Sequence, residues 1–448
     1  MSSIPEQLMA AGLSRPEAAR KADLFRIAAG ALERTSETPS RRVAEKHYFV
    51  PGRVEVLGKH TDYAGGRSLV GAVERGICLV ARASGDPFLT ITRVDSGEQA
   101  RLPLDPGLAI PEGEWSSFPA VAARRLARDF GLRHGVELAF ASDLPVAAGL
   151  SSGTALTIGV FLALAGGNRL TGHPLYRAHL SDPAALAEYL GCLENGRPFG
   201  PFEAGTGVGT LGGCEDQAAI TLSTPGALAQ VRFAPVRLER RVRIPPDFVF
   251  AVASSGVTAE KTGGAREAYN AAARAAAEIH RRWQEDSGTA APSLGAVLAE
   301  SPGALDRLRR LLGTEPTLLA RLEQFAEESE EIVPAAGDAL EAGEVEGFGR
   351  LVDRSQAGAE AGLGNQIPET IHLPRAARRL GAAAASAFGA GFGGSVWALV
   401  SRGEAERFLG AWRADYLHAF PQRAADARFF ATAIAGGALR LPLLDDDG

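Results

Sequence analysis

The stretch VELAFASDLPVAAGLSSGTALTIGVFLALAGG, residues 136–167, runs from a strand pattern through a glycine-containing turn into an apolar helix. Two serines, Ser151 and Ser152, open that helix, where backbone N–H groups without helical partners and the positive end of the helix dipole suit a phosphate group. Because serine is common at helix N-caps, the same residues also fit an ordinary core helix. The spacing matches neither the Walker P-loop nor the G-x-G-x-x-G fingerprint.

The composition around this stretch is that of a globular protein. The chain has 448 residues, of which 46% are hydrophobic and 22% charged, so two packed domains are expected. The formal net charge of -6 provides no overall basic field for nucleic acid or for an anionic membrane, so neither is expected as a partner. Cys78, Cys192 and Cys214 lie far apart in sequence, which favours neither a disulfide framework nor a zinc site.

The sequence predicts neither a signal peptide nor a membrane-spanning helix. The first 25 residues are interrupted by charges and lack the apolar core of a signal peptide, and the apolar run 155–167 is too short to span a bilayer. A cytoplasmic protein is therefore predicted, either a monomer or a small homo-oligomer.

Hydrophobic periodicity divides the chain into two parts. A helix pair is predicted over residues 5–35, and an antiparallel sheet over 48–101. A second domain is predicted to start near residue 231 or at the strand 247–255; the first of these gives domains of 1–230 and 231–448. Its helices are predicted over residues 265–283, 294–312, 318–340 and 347–361.

Three further stretches carry chemistry: PGRVEVLGKHTDYAGG (51–66), GVGTLGGCEDQAA (207–219) and FGAGFGGSVWALV (388–400). The first crowds polar groups at the end of a strand. The second presents adjacent acids after glycines, although glycine and aspartate are also ordinary turn residues. The third is either a tight hairpin or a loop that a ligand approaches.

Taken together with residues 144–156, these stretches resemble the sugar kinases of the GHMP superfamily, and most closely the galactokinases. The galactokinase motif G-R-x-N-L-I-G-E-H-T-D-Y is similar to residues 52–63, L-P-x-G-A-G-L-S-S-S-A-A-L to residues 144–156, and G-x-G-F-G-G to residues 389–394. The sequence CEDQ, residues 214–217, resembles the family's C-G-I-M-D-Q region. The resemblance extends from about residue 45 to about residue 400.

The resemblance implies an α+β fold with two domains, the first like domain 2 of ribosomal protein S5 and the second ferredoxin-like. It also implies ATP-dependent phosphorylation of the anomeric hydroxyl of a sugar. Asp216 matches the family's catalytic aspartate, and Arg53 matches the arginine beside it. A guanidinium there keeps the carboxylate ionised and offsets the negative charge of the transition state, so positioning is expected to contribute more than proton abstraction.

The other implied roles concern the nucleotide, the metal and the sugar. The resemblance places the triphosphate on the backbone of Ala147, Ala148, Gly149, Leu150, Ser151, Ser152, Gly153 and Thr154. Mg²⁺ is implied with ATP, and its candidate ligands are Ser152, Thr154 and Glu194, with Glu203 a weaker candidate. The residues implied to bind the sugar are Lys59, His60, Asp62, Gly213 and Tyr269.

Three departures from the family pattern bear on the substrate and the metal: Lys59, Gly153 and a segment before Asp216 that is longer than in the family. Lys59 replaces a glutamate that, in galactokinases, accepts a hydrogen bond from the sugar's 6-hydroxyl, and lysine cannot accept one. It could donate to the hydroxyl, bind a carboxylate at C6 or turn to solvent, so a kinase for a uronic acid is an alternative. Gly153 replaces the third serine of the second motif, which leaves a non-catalytic sugar sensor as another alternative.

Overall fold

The computed structural model describes residues 3–35, 44–145, 148–257 and 264–441. Within these ranges the strands are β1 (Lys46–Leu57), β2 (Arg67–Ala83), β3 (Phe88–Arg93), β4 (Gln99–Pro103), β5 (Val136–Ser142), β6 (Ala227–Arg232), β7 (Arg237–Arg243), β8 (Phe248–Ser254), β9 (Ala384–Phe388), β10 (Ser395–Ser401), β11 (Arg428–Thr432), β12 (Ile434–Ala435) and β13 (Leu439–Leu441).

The α-helices of the same ranges are α1 (Ile4–Ala10), α2 (Arg15–Thr35), α3 (Ser117–Phe130), α4 (Ser152–Gly167), α5 (Pro174–His179), α6 (Pro183–Asn195), α7 (Glu215–Leu222), α8 (Gly264–Ser287), α9 (Leu294–Glu300), α10 (Ala304–Leu312), α11 (Pro316–Ala326), α12 (Val333–Glu341), α13 (Val345–Gly358), α14 (Pro368–Arg379) and α15 (Ala405–Ala419). Single 3₁₀ turns lie at Asp62–Ala64, Leu170–Gly172, Arg402–Glu404 and Pro421–Arg423, and π-helical turns at Glu327–Ile332 and Ala359–Leu363.

The larger sheet is built around the two long strands β1 and β2. Among the described residues it has nine strands, in the order β13, β1, β2, β5, β3, β4, with β12 and β6 also pairing with β2, and β7 with β6. Its pairs are antiparallel except for β3 and β5, which are parallel. The predicted antiparallel sheet is therefore present with one parallel pair, which the sequence pattern did not indicate.

Both faces of this sheet are covered, so its strands are buried along nearly their whole length. Val50, Val54 and Val56 of β1 point toward α4 and the main core, whereas Phe49 packs with the N-terminal helices α1 and α2. This alternation follows from the two-residue period of a strand. The apolar helix α4 is buried on most of its surface because β1, β2 and α3 surround it.

The domain boundary expected at residue 231 does not separate two sheets. That position falls inside β6, and β7 follows it in the same sheet. The chain also returns at its end, where β12 pairs with β2 and β13 with β1. These late strands are two and three residues long, too short for a strand signal in the sequence, and their place is set by pairing with a distant segment.

The smaller sheet has four antiparallel strands in the order β11, β8, β10, β9. Side chains 249, 251 and 253 of β8 pack with α14 and α15, while Phe250 and Val252 face the main core together with Phe348 of α13. Because helices cover both faces of this sheet as well, its strands carry apolar residues on both faces. The turn between β9 and β10 is the third glycine motif, so the hairpin, one of the two alternatives for this motif, is present.

Four of the helices between β8 and β9 form a separate cluster, in which α8, α9, α10 and α11 pack around residues such as Ile279, Trp283, Leu308 and Phe325. The single helix predicted over 294–312 is two helices, because Pro302 and the left-handed Gly303 (φ 74°) interrupt it. In the described part of the chain, no helix combines the length and the apolar character that crossing a bilayer requires.

Candidate active site

A cleft of about 540 Å³ opens where β1 ends, between the loop before α7 and the turn that joins β9 to β10. Three of the four sequence motifs meet on its walls, although they are more than 100 residues apart along the chain. The predicted site residues that line it are Arg53, His60, Asp62, Glu194, Gly213, Asp216 and Tyr269.

The pair of predicted catalytic residues is formed. Both Nε and Nη2 of Arg53 lie 2.7 Å from Oδ1 of Asp216. Arg53 is buried on β1, whereas the side chain of Asp216, in the first turn of α7, is 17% exposed toward the cleft. Burial alone would lower the pKa of Arg53, but the neighbouring carboxylates, Asp216 first among them, raise it above its ordinary value. The guanidinium is therefore a permanent cation at the carboxylate.

The same guanidinium also holds the loop before α4. Its Nη1 donates to the carbonyl oxygen of Gly149, and the backbone amide of Arg53 donates to the carbonyl oxygen of Leu150 at 3.3 Å. From the other side, Ser395 at the start of β10 donates its hydroxyl to the carbonyl oxygen of Ala148. The loop is thus tied to the first and third motifs at three successive residues, which fixes its backbone in advance of any ligand.

Of the residues expected to bind the triphosphate, Ala147 lies outside the described residues. Gly149 and Ser151 both have left-handed backbones, with φ of 72° and 60°, and Ser152 is the first residue of α4. This turn directs the chain into the helix so that the first N–H groups of α4, a helix of 16 residues, have no carbonyl partner within the helix. The geometry suits an anion, as expected from the sequence.

The base of the loop is anchored by a buried ion pair that the sequence analysis did not foresee. Lys21 of α2 has no solvent exposure, and its Nζ contacts carboxylate oxygens of Asp143, the residue just before the loop, and of Glu17. Asp143 also accepts from the backbone amide of Gly76 at 2.8 Å. The N-terminal helix pair therefore does more than cover the sheet, since it holds the position from which the phosphate loop starts.

We expect Lys21→Met to lower the free energy of unfolding by about 3 kcal/mol, because it leaves the Asp143 carboxylate buried without its cation. Because the resemblance implies that this loop holds the triphosphate of ATP, the Michaelis constant for ATP should rise as the loop loses its anchor, with a smaller effect on the Michaelis constant for the sugar. Urea unfolding and steady-state kinetics measure both effects. Arg26→Met, which removes an exposed pair with Asp23 on the same helix, is the matched control and should change neither. Equal behaviour of the two variants would contradict the anchoring role.

The structure explains why Gly153 stands where the family has serine. A Cβ atom at this position would lie 2.3 Å from Cζ of Phe118, the second residue of α3. The ring thus fills the space that a serine side chain would need. The missing hydroxyl is a consequence of α3 packing against α4, so it does not by itself indicate a lost activity.

Two of the three candidate metal ligands lie together. The hydroxyl of Thr154 donates to Glu194 at 3.0 Å and lies 3.4 Å from Oδ2 of Asp216. Ser152 is two residues from Thr154 on α4, a spacing that places the two side chains on different sides of the helix. Glu203 is exposed, and its carbonyl oxygen accepts from Arg128. Glu194 is therefore the better-placed acid.

These oxygen atoms fit Mg²⁺, which prefers a few carboxylate or hydroxyl ligands and completes its shell with phosphate and water. Within the described ranges, no group of three or more His, Cys, Asp or Glu side chains is arranged to hold a metal ion.

The expected sugar side of the cleft is formed by groups from three elements. Oδ2 of Asp62 accepts from the backbone amide of Glu215 at 3.2 Å, and burial raises the pKa of Asp62. Gly213 passes so close that a Cβ atom there would lie 2.2 Å from the same oxygen, which explains the glycine. Tyr269 of α8 packs its ring 5.0 Å from the ring of His60.

His60 is a neutral, fixed side chain. Its Nε2 lies 3.1 Å from the carbonyl oxygen of Ala390, and its Nδ1 lies 3.0 Å from the hydroxyl of Tyr63. Burial, with Arg321 as the next cause, lowers its pKa to about 4. At neutral pH His60 therefore donates from Nε2 to Ala390 and accepts from Tyr63, and it carries no charge into the cavity.

The structure does not place Lys59 in the cleft. Its side chain is 1% exposed, and its Nζ donates to the hydroxyl of Ser355 on α13 at 2.8 Å. That hydroxyl in turn donates to Glu328, which also accepts from the backbone amide of Lys59. The expectation that Lys59 contacts the sugar is thus not met, and neither is the alternative that it turns to solvent. Its side chain leaves the backbone on the side of the helices, opposite to His60.

Two cavity residues were missed by the sequence analysis. Glu55 and Glu215 line the same cleft and are 3% and 6% exposed. A signal was available, because Glu55 stands where the family motif has asparagine, and Glu215 stands where it has methionine.

Comparison with known proteins agrees with this geometry. The galactokinase galactose-binding signature matches residues 40–83, the N-terminal domain of GHMP kinases residues 117–200, and their C-terminal domain residues 338–418. The three matches contain β1, the loop before α4 and the third motif, and each match includes residues that line the cleft.

The chain carries a galactokinase signature together with the N- and C-terminal domains of a GHMP kinase.

Two curated members of the galactokinase family match over most of their length. The galactokinase of Chloroflexus aggregans is 28% identical over 399 residues, which cover 86% of this chain and 90% of that protein. The galactokinase of Roseiflexus sp. is 27% identical over 359 residues, which cover 80% of this chain and 84% of that protein. The signature and these relatives identify the chain as a sugar kinase, a phosphotransferase with an alcohol group as acceptor.

Solved structures share the GHMP kinase fold. The crystal structure of Lactococcus lactis galactokinase complexed with galactose superposes with a TM-score of 0.74, at 23% identity, covering 92% of this chain and 99% of that chain. A mevalonate kinase superposes with a TM-score of 0.51, at 14% identity, covering 87% of this chain and 99% of that chain. The expected mixed helix and sheet architecture is therefore confirmed.

Proposed function

We propose that this chain is an ATP-dependent sugar 1-kinase that phosphorylates the anomeric hydroxyl of galactose. The observation that carries the proposal is the double contact of Arg53, which binds Asp216 and the carbonyl oxygen of Gly149 in the phosphate loop at the same time. One guanidinium thus spans from the acceptor side of the cleft to the phosphate side. In-line phosphoryl transfer needs such a cation between the attacking and leaving groups.

In the proposed reaction the anomeric oxygen attacks the γ-phosphorus as the bond to the bridging oxygen of ADP breaks, and the hydroxyl proton passes to the carboxylate of Asp216. Arg53 holds that carboxylate at 2.7 Å and offsets negative charge on the transferred group. Asp62, His60 and Tyr269 would orient the sugar ring. Orientation can provide a large part of the rate enhancement, because the reacting groups no longer have to find each other.

Thr154 and Glu194 are the side chains that would hold Mg²⁺, which would neutralise phosphate charge when bound with ATP. The protein's own contribution on this side is positional. Glu194 is fixed by Thr154 at 3.0 Å and by the side-chain amide of Gln217 at 3.0 Å, so its carboxylate already has a set orientation.

A panel of sugars with ATP and Mg²⁺ tests the proposal. We expect galactose to be turned over, and galacturonate to have a catalytic efficiency lower by a factor of about 100 or more, because like charges placed together in a binding site cost several kcal/mol. The charges concerned are those of the acidic wall of the cleft, which is formed by Asp62 and by the adjacent pair Glu55 and Glu215. Product analysis by phosphorus NMR identifies the 1-phosphate. Efficient turnover of galacturonate, or of no sugar in the panel, would contradict the proposal.

The buried position of Lys59 removes the reason for a uronic-acid substrate, because its ammonium group is already bound to Ser355 outside the cleft. The packing of Phe118 against Gly153 similarly removes the reason to regard the chain as a sensor without activity. Both alternatives rested on a single substituted residue, and each residue has a structural cause.

A further inference from the structure

The walls of the cleft contain more acidic groups than the proposed reaction uses. Asp216 and Asp62 have proposed roles in the reaction, and Glu194 has one at the metal. Glu55 and Glu215 have none, although both are more than nine-tenths buried and line the same cavity. Burying a carboxylate is costly unless a cation, a proton or several hydrogen bonds compensate it.

The two unused carboxyl groups lie within hydrogen-bonding reach of each other. Oε2 of Glu55 accepts from the backbone amide of Gly389 at 3.2 Å, and Oε2 of Glu215 accepts from the hydroxyl of Ser68 at 2.7 Å. Oε1 of Glu55 is fully buried and has no donor within the described part of the chain. Two carboxylates that touch can both be satisfied only if a proton lies between them.

Neither Arg53 nor Lys59 compensates the second negative charge in place of that proton. Arg53 is bound to Asp216 at 2.7 Å and lies 4.0 Å from Glu215, so its charge is already paired. Lys59 acts on Glu55 through its charge, but its ammonium group is bound to Ser355. The remaining ionised groups that act on Glu215 are the carboxylates of Asp62 and Asp216, which further oppose a second negative charge.

We propose that Glu55 and Glu215 share a single proton and that this carboxyl–carboxylate hydrogen bond is a positioning element for the Arg53–Asp216 pair. Glu55 lies two residues after Arg53, on the same face of β1, and Glu215 directly precedes Asp216 in α7. The shared proton therefore links the same two elements that the catalytic pair links. It sets the distance between β1 and α7, and the charge of Arg53 remains paired with Asp216.

The electrostatics of the cleft agree with this geometry. Burial raises the pKa of Glu55, although Lys59 and Arg53 oppose the shift. Burial, with Glu55 as the next cause, raises the pKa of Glu215 well above its ordinary value. When the shared proton is lost at alkaline pH, the two carboxylates repel each other and Glu215 competes with Asp216 for the guanidinium.

The kinetic test rests on the proposed function, because it measures sugar phosphorylation. We expect the catalytic efficiency of the wild-type protein to fall on the alkaline side and the fall to be absent in Glu55→Gln, whose amide donates to Glu215 at every pH. At neutral pH, Glu55→Ala should be about tenfold less active than Glu55→Gln, as expected for the loss of one hydrogen bond to a charged group. Superimposable pH profiles of wild type and Glu55→Gln would overturn the proposal.

The matched control is Glu74→Gln. Glu74 is a buried carboxylate of β2 that accepts from the backbone amides of Ser14 and Ala433, outside the cleft. Its substitution should leave the alkaline fall of the wild-type profile in place. If Glu74→Gln removed that fall as Glu55→Gln does, the effect would be one of general stability, and the proposal would be overturned.

A second measurement does not need activity. Because the folded protein holds a proton that the unfolded chain releases near the ordinary glutamate value of 4.5, wild type should lose stability relative to Glu55→Gln as pH rises above that value. Urea unfolding at several pH values measures this difference. Parallel curves would overturn the shared proton. If no variant phosphorylates any sugar, the proposed function is contradicted. The unfolding comparison still shows whether Glu55 and Glu215 share a proton.

Discussion

Asp216→Ala should lower the turnover number by about a thousandfold or more while leaving galactose bound. The substitution removes the carboxylate that would orient the anomeric hydroxyl and accept its proton. It also leaves the buried guanidinium of Arg53 without its partner at 2.7 Å. Steady-state kinetics gives the turnover number, and titration calorimetry with galactose separates the loss of rate from a loss of binding.

Asp216→Asn is the control for shape. It keeps an oxygen that can accept from Arg53 but lacks the negative charge, so it should be nearly as inactive as Asp216→Ala while unfolding at almost the wild-type urea concentration. Activity above about one tenth of wild type in either variant would mean that Asp216 is not the catalytic base, since general base catalysis alone provides at least about a hundredfold.

Lys59→Glu restores the family residue, yet we expect it to lower the free energy of unfolding by about 4 kcal/mol or more. Removing one partner of a buried charged network costs about 3–5 kcal/mol, and the new carboxylate adds repulsion. It would lie beside Glu328, which is 2% exposed and accepts from the backbone amide of residue 59, and near Glu55. Urea or thermal unfolding measures the loss.

Lys59→Met keeps most of the side-chain volume without the charge, and it allows the test to be read even if Lys59→Glu does not fold. It should lose about 3 kcal/mol of stability and keep the wild-type preference for galactose over galacturonate. A change in that preference would show that Lys59 reaches the sugar after all. A stability within 1 kcal/mol of wild type in both variants would contradict the buried network.

The site residues predicted from the sequence were in large part brought together, because their motifs are local and each has a strong backbone signature. Arg53 follows Gly52, which is packed so tightly against Leu144 and the carbonyl oxygen of Leu150 that a Cβ atom would collide with both. Gly213 is similarly confined by Asp62. Close backbone contacts require glycine at these positions, so the glycines form motifs that can be recognised in the sequence. The same contacts place the side chains beside them.

The sequence analysis did not predict the direction of the Lys59 side chain or the contact between Glu55 and Glu215. Lys59 and His60 are neighbours in the chain, but one points to α13 and the other to the cleft. Nothing in the motif distinguishes these directions, because they depend on Ser355 and Glu328, nearly 300 residues away. The contact between Glu55 and Glu215 is equally invisible along the chain, since 160 residues separate the two.

The resemblance to galactokinases, the strand, loop and helix proposed to bind phosphate, and the proposed catalytic pair could all be predicted from the residues alone, because these depend on local backbone geometry and on short spacings. The charges that face the cleft could not be predicted in this way, because they depend on the folded arrangement of the chain. That arrangement balances the cost of burying each charge against partners contributed by distant segments. For this reason Lys59, which first suggested an unusual substrate, belongs to a buried network outside the cleft, and two glutamates occupy the wall in its place.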